Sequence, residues 1–166
     1  MAEARTLALA LALAVAAPSL RAMPPASGGL GDFSAYSLGS PQTGLATRRL
    51  GIRTQAGKTL EYSVEIAATP QQQATGMMHR KSMGARSGML FPMQPARPAS
   101  FYMRNTYVPL DIIFIDANRR VLNIGANATP LSEALISSAG PVIAVLELRG
   151  GEAARIGLKP GDRIDW

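Results

Sequence analysis

The sequence predicts a mainly β protein: a compact single-domain barrel or sandwich carrying one or two short helices. Three observations point there. Short segments alternate apolar and polar residues at period two, and Pro, Gly, Asn and Asp punctuate them at close spacing. Hydrophobic residues make up 47% of the 166, enough to fill one core.

Taken in order, Leu60, Tyr62, Val64 and Ile66 alternate with Glu61, Ser63 and Glu65, the pattern of a half-buried strand. Arg48–Arg53 is its expected partner, joined through Gln55–Lys58. Thr69-Pro70 reads as an N-cap followed by proline at the first helical position, opening a short helix over Gln71–Met78. Gly88–Phe91, Ser100–Arg104 and Leu110–Ile115 read as further strands, and Asp116–Arg119 as a hairpin turn into Val121–Ile124. Pro141–Leu148 is the strongest buried-strand candidate. Gly150–Ile156 has room for one or two helical turns before a Lys159–Asp162 turn and a last strand at Arg163-Ile164.

Ahead of these elements, Arg5 precedes eleven unbroken apolar residues, Leu7–Ala17, and then Pro18. A basic residue before a short apolar run is the layout of a secretory signal peptide, and the run falls short of the ~20 residues a bilayer span needs. Residues 1–22 are therefore expected to be a signal peptide, with the product periplasmic or extracellular and not stably inserted in a membrane. Residues 23–44, rich in Pro, Gly, Ser and Ala, read as a flexible linker, and 45–166 as the single β-rich domain.

Composition removes several chemistries. The chain has no cysteine, which excludes disulfides, thiolate metal sites and thiol nucleophiles, and its single histidine excludes a site needing two imidazoles from one chain. With Arg5, Arg21 and Glu3 removed, 15 basic and 10 acidic residues remain, a net charge of +5. That charge suits weak attraction to anions, but no basic run exceeds two residues, so nucleic acid is not an expected partner.

Several segments occur together in a recognisable order: Gly76-Met-Met-His-Arg80, Gly88-Met-Leu-Phe91, Phe101-Tyr-Met-Arg-Asn-Thr106, Pro109-Leu-Asp-Ile112, Ala144-Val-Leu-Glu-Leu148 and Gly157-Leu-Lys-Pro-Gly-Asp-Arg163. This set resembles the domain-of-unknown-function family 192, small proteins often exported in bacteria. The resemblance covers residues 45–166. It implies a β-rich, jelly-roll-like domain and no established reaction. The family usually carries tryptophan where Tyr102 stands and lysine where Arg104 stands, so aromatic and cationic character are kept.

The densest polar motif is Tyr102–Thr106 followed by Asp111. Arg104, Asn105 and Thr106 supply a cation, an amide and a hydroxyl, a set able to hold a carboxylate or phosphate, and Arg80 is a candidate to converge on them. The expected site is thus a polar pocket of Arg80, Tyr102, Arg104, Asn105, Thr106 and Asp111 for a small anionic ligand, in a binding module with no cofactor or metal. The competing structural reading gives Asn105 and Thr106 to a turn and Arg104 to an acid such as Asp111. Six of the eight methionines lie between Met77 and Met103, with His79 among them. Thioethers and imidazole suit copper(I), but methionine also fills irregular cores; Met77, Met83 and Met93 are the loose candidates.

Two other functions stay open. A carboxylate- or metal-assisted hydrolase would use Asp111, Glu147 and His79. A structural partner-binding module of the envelope would instead show an exposed apolar patch. Glu147 sits inside an apolar run, where a buried carboxylate needs a partner, for which an arginine is expected.

Overall fold

The computed structural model describes residues 39–166, so the expected signal peptide and residues 23–38 of the expected linker lie outside it. Seven strands form one sheet in the order β6-β5-β8-β3-β2-β1-β9. They are β1 (Thr47–Arg53), β2 (Thr59–Ile66), β3 (Ser87–Arg97), β5 (Leu110–Ile115), β6 (Val121–Ala128), β8 (Val142–Arg149) and β9 (Arg163–Asp165). A two-stranded sheet pairs β4 (Ser100–Phe101) with β7 (Ile136–Ser137). Two short helices complete the fold, α1 (Pro70–Thr75) and α2 (Glu152–Ile156). The protein is mainly β, as expected.

The large sheet curls into a half-barrel whose two edges meet at one corner. There Arg120, just before β6, bridges Arg163 of β9, and the Val121 amide donates to the Asp162 carbonyl at 2.8 Å. Asp162 holds that corner. Its carboxyl oxygens accept from the Gln55 and Lys159 amides, each at 2.8 Å, so the Lys-Pro-Gly-Asp turn is a latch between β1 and β9. Pairing is antiparallel throughout except β2 with β3, which run parallel. A parallel pair needs a crossover, and α1 with the loop after it supplies one.

The central strands are buried on both faces. Every residue of β5 is buried, and so are six of the eight residues of β8. This explains why, Asp111 and Glu147 apart, they read as mostly apolar runs while β2 alternates. One face packs Leu50, Ile52, Val64, Leu90, Ile113, Leu146 and Ile164 inside the half-barrel, with α2 over its end. The other packs Met89, Phe91, Ile112, Phe114 and Val145 beneath the α1 loop and the β4/β7 pair. Met77 and Met93, read as loose copper candidates, are buried in this second cluster, and Met83 packs half-buried against it. They fill the irregular space between a sheet and its covering loops.

One strand and one helix expectation need correction. The segment Ser100–Arg104 stops being a strand after Phe101, because Met103–Thr106 closes a turn with the Thr106 amide donating to the Met103 carbonyl at 3.0 Å. The helix predicted over Gln71–Met78 ends at Thr75, where Gly76 turns to φ 48°. Its start is as expected. Thr69 accepts from the Gln72 amide, and the Gln72 side chain accepts from the Thr69 amide, a reciprocal cap.

Candidate functional site

Glu147 lies mid-strand in β8, opposite Met89 of β3 and Ile112 of β5, both fully buried. Its side chain therefore shares the methionine- and phenylalanine-rich face of the sheet. It is 5% exposed, and its Oε2 has no hydrogen-bond partner among the described residues. Burial pushes its carboxyl up to about 8, against a weaker opposing pull from Arg80. At neutral pH it is a carboxylic acid with a proton to donate.

This acid forms the floor of an open cleft of about 190 Å³. One wall is α1 and the residues after it, Gln73–Met78; Phe91 and Met93 of β3 and Phe101 of β4 form another. Gln73 ties the walls together, its amide donating to the carbonyls of Ala67 at 3.2 Å and Pro92 at 2.8 Å. Gly76 lies against Phe91, where an added Cβ would come within 3.3 Å of the ring. Phe101 meets the edge of Phe91 at 5.1 Å, which fixes both rings. Arg97, Tyr102 and Thr106 also line the cleft. Arg97 has no ion pair among the described residues.

The sequence-predicted site residues are distributed over several places. Tyr102 and Thr106 line the Glu147 cleft. Arg80 turns to Glu65, with Nη2 donating to Oε1 at 3.0 Å, and also reaches the Gln42 carbonyl at 3.2 Å. Gln42, within the stretch read as linker, donates to the carbonyls of Gln72 and Gly76 and so caps the end of α1. Arg104 is exposed, pairs with Glu133 at 3.0 Å, and stacks over the Tyr102 ring at 5.4 Å. The Glu133 contact raises the Arg104 pKa and lowers that of Glu133. Asn105 takes the left-handed conformation, φ 54°, and its carbonyl accepts from the His79 amide at 2.7 Å. The Thr106 hydroxyl donates back to the Arg104 carbonyl at 3.2 Å. Turn chemistry thus accounts for the triplet.

Asp111 has a different task. It is fully buried, and its two oxygens accept from three backbone amides: Asn127 at 2.7 Å, Gly151 at 3.1 Å and Ala153 at 2.6 Å. It ties β5 to β6 and to the start of α2. Register places Asp111 opposite Leu148 and Glu147 opposite Ile112, so the two carboxyls point to opposite faces of the sheet. They are not a catalytic acid pair. His79 lines a separate hollow with Tyr107 and Lys81, its Nδ1 buried without a partner among the described residues. The hydrolase set of Asp111, Glu147 and His79 is not brought together, and the described residues gather no three His, Asp or Glu side chains around a common metal position. The arginine expected to pair with Glu147 also differs: Arg80 is near enough to act on its charge but is bonded to Glu65.

A family model described as DUF192, an uncharacterised conserved family, matches residues 51–166. The chain belongs to that family. Two solved structures share its fold. One, from Sinorhizobium meliloti 1021 and described only provisionally as a transcription regulator, is 41% identical with a TM-score of 0.72, covering 75% of this chain and 96% of its own. The other, a protein of unknown function from Novosphingobium aromaticivorans, is 45% identical with a TM-score of 0.73, covering 76% of this chain and 89% of its own. No curated protein matches the chain. The DUF192 match begins within β1 and so takes in both the Glu147 cleft and the Asp111 clamp.

Glu147 was visible in the sequence as a misplaced acid, but its role was not. The apolar run around it gave burial; only the strand register gives the face. No described helix is long and apolar enough to cross a membrane.

Proposed function

We propose that this chain is an exported binding domain that holds a small, mainly apolar organic acid in the Glu147 cleft. The observation that carries the reading is a buried carboxylic acid, with one oxygen unpartnered among the described residues, in the lining of an open cleft that also presents Met77, Phe91, Met93 and Phe101. Such a group is costly for the fold and is satisfied when a ligand oxygen accepts its proton in a hydrogen bond. A carboxylate is the strongest small acceptor, giving a charge-assisted O–H···O⁻ contact. Arg97 supplies the balancing cation at the cleft wall, and Met77, Phe91, Met93 and Phe101 fit an apolar body. The volume, about 190 Å³, suits a ligand somewhat larger than benzene, which fills a cavity of ~150 Å³. Tyr102 and Thr106, from the polar motif, belong to this site; Arg104 and Asp111 support the structure around it. The signal-peptide layout of residues 1–22 supports export.

A binding role is favoured over hydrolysis because Asp111, the acid that would complement Glu147, faces the other side of the sheet. The test is a thermal-shift titration of the chain at pH 6.5 with benzoate and hexanoate, using benzyl alcohol as the neutral control. The acids should raise the unfolding midpoint, and Arg97→Gln and Glu147→Gln should each diminish the shift. Equal shifts by the alcohol, or shifts indifferent to both substitutions, would contradict the reading.

A further inference from the structure

At the C-terminal end of β8 the protein carries a second, strongly basic cleft of about 340 Å³. Three arginines line it: Arg86 just before β3, Arg149 at the end of β8, and Arg155 of α2. The β3–β8 register sets Gly88 against Leu148, which brings the strand ends bearing Arg86 and Arg149 side by side. Tyr62 and Glu152 also line the cleft.

The charges inside it are unequal in availability. Glu152 is already taken, accepting from the Tyr62 hydroxyl at 2.5 Å and from two nitrogens of Arg155, each at 2.7 Å. Its bonds to Arg155 and Tyr62 hold its carboxyl down to about 2, so it stays ionised and bound to them. Arg86 and Arg149 have no ion pair among the described residues. The lining therefore keeps two uncommitted guanidinium groups. Arg86 also sits in the left-handed region, φ 52°, with its carbonyl accepting from the Ser63 amide at 2.9 Å. A bulky side chain is strained in that conformation, and glycine would be at ease. The strain falls on a residue whose side chain lines the cleft.

We propose that this cleft binds a soluble phosphate monoester, with Arg86 and Arg149 each forking onto its phosphate oxygens. Two guanidinium forks present four N–H donors, which would saturate every acceptor position of one carboxylate, whereas a phosphate monoester spreads them over three terminal oxygens. Its charge of nearly −2 at neutral pH also balances the two free cations. The cleft exceeds what a bare phosphate fills, leaving room for the esterified group. The site shares no lining residue with the Glu147 cleft.

The test is calorimetric titration of the full chain with glycerol 3-phosphate, against acetate at the same ionic strength. Parallel sedimentation with phosphatidic acid vesicles separates a soluble ester from a lipid headgroup. Glycerol 3-phosphate should bind at least tenfold more tightly than acetate. Arg149→Gln and Arg86→Gly should each weaken it more than tenfold, while Arg48→Gln, with the same charge change on β1, should leave it within twofold. Arg86→Gly also relieves the left-handed strain, so its unfolding midpoint should equal or exceed that of the wild type, keeping loss of binding distinct from loss of fold. Equal weakening by all three substitutions would mean diffuse charge attraction and overturn the proposal. So would binding to the vesicles alone.

Discussion

Asp111 and Glu147 stand on neighbouring strands, one register step apart, and are treated in opposite ways by the fold. Asp111 points inside the half-barrel and accepts three backbone amide bonds of 2.6–3.1 Å. Glu147 points to the other face and keeps an oxygen with no partner among the described residues. Both are acids in apolar strands. The first has been built into the structure by loops that converge on it, and the second has been left open to a cleft. Burial alone therefore says little about role; the count of satisfied bonds separates an architectural acid from one available to a ligand.

The largest expected effect is on the architectural side. Asp111→Ala strands three amides from β6 and α2, and should cost on the order of 4 kcal/mol in urea denaturation. Glu147→Gln should do the reverse across part of the pH range. The unfolded glutamate loses its proton near the ordinary value of 4.5, while the folded one keeps it until about 8. Between these values the unfolded state binds fewer protons, so wild-type stability falls as pH rises, by up to ~1.4 kcal/mol per unit, and levels off above 8. Glutamine has no proton to lose. The stability of Glu147→Gln relative to wild type should thus climb between pH 5 and pH 8, measured as the difference of the two denaturation midpoints. A constant difference would show that Glu147 titrates normally.

The ligand side follows the same sign. Once Glu147 ionises it repels an anionic guest instead of donating to it. Benzoate affinity should therefore decline as pH passes about 8. The smallest effect is expected at Arg104. Among the described residues its one ion pair is with exposed Glu133, so Arg104→Ala should leave both the denaturation midpoint and the Glu147 pH slope unchanged. A large loss, rescued by Glu147→Gln, would instead make Arg104 the hidden partner of that acid.

Much of this frame is legible in the sequence because local patterns and tertiary structure agree there. Alternation along Leu60–Ile66 marks a strand with one wet face, and apolar runs interrupted by a single acid mark β5 and β8, which are covered on both. Thr69-Pro70 with Gln72 specifies the start of α1 without help from the rest of the chain. The parallel β2–β3 pair is not legible, because nothing local distinguishes a crossover from a hairpin. Nor is the split between the two acids. Period two orders neighbours within one strand, whereas the relation of Asp111 to Glu147 depends on the register between two strands. The polar motif misleads for a related reason: Arg104, Asn105 and Thr106 carry ligand-binding groups, but a turn and a surface ion pair engage them first.

The central claim, that Glu147 is a proton-bearing acid left open at the base of a cleft, is tested most directly by carbon-13 NMR. With glutamate carboxyls labelled, each side chain reports its own titration. One resonance should titrate near pH 8, be missing in Glu147→Gln, and shift when benzoate is added at pH 6.5. If every glutamate carboxyl instead titrates below about pH 5, Glu147 is ionised and paired in solution, and the account of the cleft is wrong.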